Sequence, residues 1–163
     1  MRSPTQQGFT LLELMIVVAI ISVLASFVVP AYQDFMSKAQ VSAGLTEIAP
    51  AKTPVELVLS DLSLQSDVNT SDAAGLLTFS LTSTTSSRCT YKVVINVSTL
   101  ASYGRAGVQC TLSGTNSIQG RIIRFVRTPD TPSDAGIWTC ITDVDAKFAP
   151  VGCVVSATTL ASI

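Results

Sequence analysis

No histidine occurs anywhere in this 163-residue chain, and its four cysteines include no Cys-x-x-Cys pair. The usual zinc frameworks are thereby excluded, and so is the side chain that most often serves as a general base near neutral pH. The glycines form neither a P-loop nor a dinucleotide-binding pattern, and there is no Gly-x-Ser-x-Gly nucleophile elbow. An enzyme is therefore not expected, and neither a metal nor a cofactor. Charge is also scarce: Asp, Glu, Lys and Arg make up 13% of the chain, about half the usual share. A net charge of -1 removes any global electrostatic case for nucleic acid or for an acidic membrane surface. Hydrophobic residues meanwhile reach 47%, so part of the apolar surface is expected to be covered by lipid or by partner subunits. The length suits one compact domain plus one long appended element.

Without zinc spacing or histidine, Cys89, Cys110, Cys140 and Cys153 read as disulfide partners. Four cysteines allow three pairings; joining Cys89 to Cys110 and Cys140 to Cys153 needs the fewest chain crossings. Disulfides imply an oxidising compartment, the periplasm or the cell exterior.

The longest apolar run lies near the start. MRSPTQQG, residues 1–8, is polar with one basic side chain and leads straight into Phe9–Val29, FTLLELMIVVAIISVLASFVV. As a helix those 21 residues extend roughly 31 Å, enough to cross a bilayer core. Arg2 on the short side favours a cytoplasmic location for that end. The alternative is an export signal cut near Val23-Leu24-Ala25. Glu13 argues against it, because a carboxylate inside an apolar span costs on the order of 2.5–3.5 kcal/mol near the membrane centre, and a disposable signal has no reason to carry one.

Gly8-Phe9-Thr10-Leu11-Leu12-Glu13, followed by Met15-Ile16-Val17-Val18-Ala19-Ile20-Ile21, resembles the N-terminal motif of type IV pilins and the related pseudopilins. The resemblance implies that a prepilin peptidase cuts after Gly8, that Phe9 becomes the N-methylated first residue, and that the helix stays with the product. It also implies assembly roles for Thr10, Glu13 and Pro30. A filament core of apolar helices offers Glu13 few partners except the new amino group at Phe9 of a neighbouring subunit. An ion pair in that low-dielectric setting sets the register at which a subunit docks. Ser22 departs from the family, which commonly has glycine there, whereas Pro30 matches a common proline.

Beyond Pro30, Tyr32, Phe35, Ala39, Val41, Leu45, Ile48, Val55, Val58, Leu59 and Leu62 recur largely at steps of three and four, a one-face helical stripe. Pro50 and Pro54 interrupt it, and Pro54 either kinks the helix or opens a new turn. The expected organisation is a leader over 1–8, a helical spine over 9–62 with 9–29 transmembrane and the remainder amphipathic, and a head over 63–163. Ser60 to Gly75 reads as a turn-rich connector. Leu76–Thr84, Thr90–Val97, Ala106–Leu112, Arg121–Thr128 and Ile137–Thr142 read as strands. The fold class is therefore α+β, a long helix packed on a four- to five-stranded antiparallel sheet.

The C-terminal stretch Gly136-Ile137-Trp138-Thr139-Cys140, then Phe148-Ala149-Pro150 and Gly152-Cys153, is similar to the disulfide-bounded loop that ends many pilins and is generally absent from major pseudopilins. Closing such a loop stabilises by about 3 kcal/mol on the loop-entropy account. Cys89 to Cys110 would pin two neighbouring strands. Ten residues, VVSATTLASI, follow Cys153 and are assigned neither a strand nor an interface.

The expected function is that of a structural subunit of a type IV pilus serving adhesion, twitching motility or DNA uptake. Its implied partners are identical or related pilins in a helical homopolymer, the prepilin peptidase, an inner-membrane assembly platform, the bilayer before assembly, and a host receptor or DNA. The implied location is the inner membrane of a Gram-negative bacterium as precursor and then the cell-surface pilus. Two alternatives are a type II secretion pseudopilin and a minor pilin acting as DNA receptor. For the latter, Arg105, Arg121, Arg124 and Arg127 would form the phosphate-binding patch. Strand periodicity puts Arg121 and Arg127 on one face and Arg124 on the other, which reads better as solvated charges guarding a strand edge. Asn69-Thr70-Ser71 and Asn96-Val97-Ser98 match the N-glycosylation pattern, which the bacterial leader makes a coincidence.

Overall fold

A computed structural model of the chain describes residues 8–60, 67–81, 83–96, 105–131 and 133–156. Leader residues 1–7, Leu62, the second sequon beyond Asn96 and the tail after Ser156 lie outside them. The elements are helix α1 (Leu11–Ile48), a 3-10 turn (Ala49–Ala51), α2 (Lys52–Ser60), strand β1 (Val68–Thr70), α3 (Ala73–Thr78), β2 (Cys89–Asn96), β3 (Arg105–Leu112), β4 (Ile122–Arg127), β5 (Trp138–Thr142) and β6 (Cys153–Val155). The chain divides into two units, one ending at Phe35 and the other beginning at Met36.

In the first unit every described residue is exposed, including Leu12, Ile16, Ile20, Leu24 and Phe27. A span from Leu11 is long and apolar enough to cross a membrane. Helix α1 runs through Pro30, although the missing N–H leaves one carbonyl of the preceding turn without its ladder partner. Ser22 and Ser26 turn their hydroxyls back onto the carbonyls of Val18 and Val23, at 2.7 and 2.6 Å, which satisfies both side chains without water.

The second unit is an α+β head. Its sheet runs β1-β2-β3-β4-β5-β6 in sequence order, antiparallel up to β5, with β6 parallel to β5. Strand side chains alternate between faces, and the face carrying Tyr91, Val93, Ile95, Ala106, Val108, Cys110, Leu112 and Ile123 is buried together with Val41, Ile48, Val55 and Leu59 of the helices. Each fully buried Val, Leu or Ile contributes about 1.5–3 kcal/mol by leaving water.

The helical stripe that packs in the head is Ser37, Val41, Gly44, Ile48, Ala51, Val55 and Leu59, in steps of three and four. Of the large members expected from sequence it keeps Val41, Ile48, Val55 and Leu59, with Leu45 and Val58 half-buried beside it, and it adds Ser37, Gly44 and Ala51. Gly44 lies against the sheet: a Cβ built there would sit 2.8 Å from Leu112 Cδ2, 3.2 Å from Cys110 Sγ and 3.4 Å from Cys89 Sγ. Tyr32, Phe35 and Ala39 stay exposed. Pro50 falls in the 3-10 turn and Pro54 in the first turn of α2, where an N–H would have no helical partner anyway.

Three strand expectations need correction. Among the described residues of Leu76–Thr84 there is no strand; Asp72 caps the helix Ala73–Thr78 instead, its carboxylate accepting from the Gly75 N–H at 2.7 Å. Local capping outweighs the β-preference of Leu, Phe and Thr. The connector contributes a short edge strand, β1, paired with Val93–Ile95. The sheet gains a sixth member, the parallel β6, because the chain turns at Gly152, whose φ of 88° suits glycine, and runs back alongside β5.

Candidate functional site

Gly8, Phe9 and Thr10 precede the helix, and Leu11 is its first residue. The Thr10 N–H and hydroxyl both donate to Glu13 Oε2, at 2.9 and 2.8 Å, while the Glu13 N–H donates to Thr10 Oγ1 at 3.2 Å. This is a capping box: two side chains satisfy backbone donors that a helix start leaves open. Four of the expected processing and assembly residues, Gly8, Phe9, Thr10 and Glu13, thus fall within six consecutive residues at the helix start. Pro30 lies 17 residues beyond Glu13, about 26 Å along a helix, and is not brought to them.

Residues 8–35 contain neither Lys nor Arg, so Glu13 has no cation on its own segment. Among the described residues its Oε1 accepts no hydrogen bond, both accepted bonds going to Oε2. The Gly8–Phe9 bond lies in exposed, non-helical backbone, the kind of segment a peptidase can bind extended. The Thr-x-x-Glu spacing is visible in the sequence; reading Glu13 as an intermolecular partner alone misses its meaning as a local cap.

In the head, both disulfides join nearest neighbours, Cys89–Cys110 and Cys140–Cys153. The first ties β2 to β3 beneath Gly44. The second joins directly opposed residues of β5 and β6 and closes a connection whose Val144 and Phe148 are buried.

Two carboxylates that sequence reasoning passes over hold the helices to the sheet. Glu47 of α1 accepts from Ser86 Oγ at 2.6 Å, Tyr91 OH at 2.8 Å and Arg88 NH1 at 3.2 Å. Burial alone would push its pKa up, but these donors outweigh burial and the net shift is down. Glu56 Oε1 of α2 accepts from both Arg127 Nε and Trp138 Nε1 at 2.7 Å. Arg127 also grips Asp130 through NH1 at 3.0 Å and NH2 at 2.8 Å. That grip is the main reason the Asp130 carboxyl titrates below its ordinary value.

Arg124 and Arg127 are consequently not solvated edge charges: they are 3% and 5% exposed. At those exposures the guanidinium groups are covered together with the stems, and the partners of Arg127 come from 71 residues away in sequence and from the next loop. Arg121 is exposed and donates to the Asp143 carbonyl at 3.3 Å. The four arginines do not form an open phosphate-binding patch.

Comparison with known proteins gives consistent matches at both ends of the chain. A family model described as pilin, a bacterial filament protein, matches residues 37–154, and a prokaryotic N-terminal methylation motif matches residues 3–29. The type IV major alpha-pilin of Moraxella bovis is 37% identical, the match covering 91% of this chain and 97% of that one. A type IV major fimbrial protein FimA of Dichelobacter nodosus is 32% identical over 91% and 96% of the two chains. Fimbrial protein EcpB of Eikenella corrodens is 34% identical over 91% and 97%.

Proposed function

Because this chain belongs to the pilin family and is a structural subunit of a type IV pilus, we propose that a prepilin peptidase removes residues 1–8 by cutting after Gly8 and methylates the new amino group of Phe9. Residues 9–62 then serve as the helical spine, with 9–29 in the membrane, and 63–163 as the head. The family is a structural one and not an enzyme family. A membrane-anchored precursor and a cell-surface pilus fit the methylation motif and the apolar helix. We place that precursor in the inner membrane of a Gram-negative cell, where an assembly platform adds it to a pilin polymer.

The observation that carries this reading is the state of Glu13. It stands on an exposed apolar segment without a basic residue, one oxygen engaged by its own helix start and the other, among the described residues, without a donor. Cutting after Gly8 creates the missing cation at Phe9. In a filament of packed apolar helices, the Phe9 ammonium of one subunit meets the open side of the Glu13 carboxylate of the next, while Thr10 holds that carboxylate in a fixed rotamer. A charge pair is much stronger there than in water, and an unpaired carboxylate is heavily penalised. Leaving lipid for a helix bundle exchanges one apolar setting for another, so packing and this pair together decide docking and register.

The pseudopilin and DNA-receptor alternatives lose support from the Cys140–Cys153 loop and from the burial of Arg124 and Arg127, respectively. Glu13→Ala tests the pairing. The cut and methylated subunit should be held in the membrane at normal level, while sheared surface filaments fall to background. Undiminished filaments would remove Glu13 from assembly.

A further inference from the structure

The two disulfides differ in accessibility. Cys89 and Cys110 are 1% and 0% exposed. Helix α1 lies over the bridge: the Gly44 carbonyl oxygen is 3.8 Å from Cys89 Sγ, and the absent Gly44 Cβ marks space only 3.2 Å from Cys110 Sγ. This cover is fastened on both sides. One turn towards the C-terminus, Glu47 accepts from Ser86, Arg88 and Tyr91. Towards the N-terminus, Ser37 bonds the Thr115 hydroxyl at 2.7 Å and Gln40 Oε1 accepts from the Thr115 N–H at 3.0 Å. Cys140–Cys153 lies at the sheet edge instead: Cys140 is 8% exposed, but Cys153 is half-buried on the edge strand, and Val151 and Gly152 beside it are exposed.

Thiol–disulfide exchange needs a thiolate to approach a sulfur directly, so access limits both making and breaking the bond. We infer that Cys89–Cys110 is made by an oxidising dithiol/disulfide partner while α1 is still undocked from the sheet, and that docking of the Gly44 face then seals it, leaving Cys140–Cys153 as the exchangeable bridge of the folded head. In the bond-forming reaction one cysteine thiolate attacks the partner's disulfide and expels one partner thiolate. The second cysteine thiolate attacks the mixed disulfide and expels the other. The partner leaves as a dithiol carrying the two electrons, and the two cysteine protons pass to solvent or to the partner's thiolates. The inference does not depend on the Glu13 pairing or on filament formation.

Full-length oxidised protein in detergent micelles tests it. During incubation with dithiothreitol under native conditions, samples are alkylated and the modified cysteines mapped by peptide mass. Cys140 and Cys153 should be labelled first, and Cys89 and Cys110 at least about a hundredfold more slowly, because their exposure requires local unfolding. Glu47→Ala should speed labelling of the inner pair and not the outer. Cys140→Ser with Cys153→Ser, which removes the outer bridge, should leave the inner one resistant. For the order of events, oxidative refolding is trapped by alkylation alongside hydrogen exchange of residues 41–48: the inner bridge should precede their protection. Equal reduction rates for the two bridges would overturn the inference, as would protected helix amides in a chain whose Cys89 and Cys110 still alkylate.

Discussion

Replacing Gly44 by alanine sets two opposed effects against each other. In a helix interior alanine is favoured over glycine by about 1 kcal/mol. At this position, however, the added methyl would fall 2.8 Å from Leu112 Cδ2 and 3.2 Å from Cys110 Sγ. Leu112 is 1% exposed and has little room to withdraw, and the sulfur is fixed by its bridge. Overpacking of this kind costs about 1–3 kcal/mol, so the net change should be a loss of about 0–2 kcal/mol instead of a gain. Thr46→Ala, on an exposed part of the same helix, supplies the comparison and should be near neutral or slightly stabilising. Urea unfolding followed by Trp138, the chain's one tryptophan, reads both, since Trp138 is bonded to Glu56 of α2 and reports helix–sheet contact. A Gly44→Ala protein more stable than Thr46→Ala would refute the close approach.

Thr10→Val removes the capping hydroxyl with little change of shape and should weaken the helix start by about 1 kcal/mol, lowering filament yield while Thr10→Ser retains it; equal yields from both variants would detach the cap from assembly. Glu47 and Asp130 both have folded pKa values below the ordinary ones, so the unfolded chain takes up protons first on acidification. Their contribution is therefore complete above the ordinary carboxylate range and fades as pH falls through the lowered folded values, from about pH 5 downward. Urea midpoints measured from neutral to acid pH should drop over that range, and Asp130→Asn should be less stable at neutral pH with a shallower drop; an unchanged slope would contradict the Arg127 grip.

Much of the architecture is legible in the residues themselves, for identifiable physical reasons. Residues 8–29 carry their chemistry in one dimension: an unbroken apolar run, one acid and a polar leader need no tertiary context. Strands β2 to β5 are legible because β-branched and aromatic residues cluster between turn formers, and both disulfides join nearest neighbours. What escapes a reading of the sequence depends on distance or on small size. Ser37, Gly44 and Ala51 belong to the buried stripe but vanish from a search for large apolar groups. Arg127 reads as solvated because nothing near it in sequence announces Glu56. Strands β1 and β6 have three residues each, too few for a periodic signal, and they form only because longer neighbours offer edges to pair with. For Thr10 and Glu13 the pattern is present in the sequence, but the apolar run around them draws attention to a distant partner and away from the nearer one.

Assembly through Glu13 requires that the apolar helix be retained in the exported polymer. Mass spectrometry of surface filaments sheared from cells measures this directly. The predicted result is that this chain dominates the filaments and begins at N-methylated Phe9, with residues 1–8 absent. A freely soluble product beginning near Ser26, without the segment that bears Glu13, would contradict it.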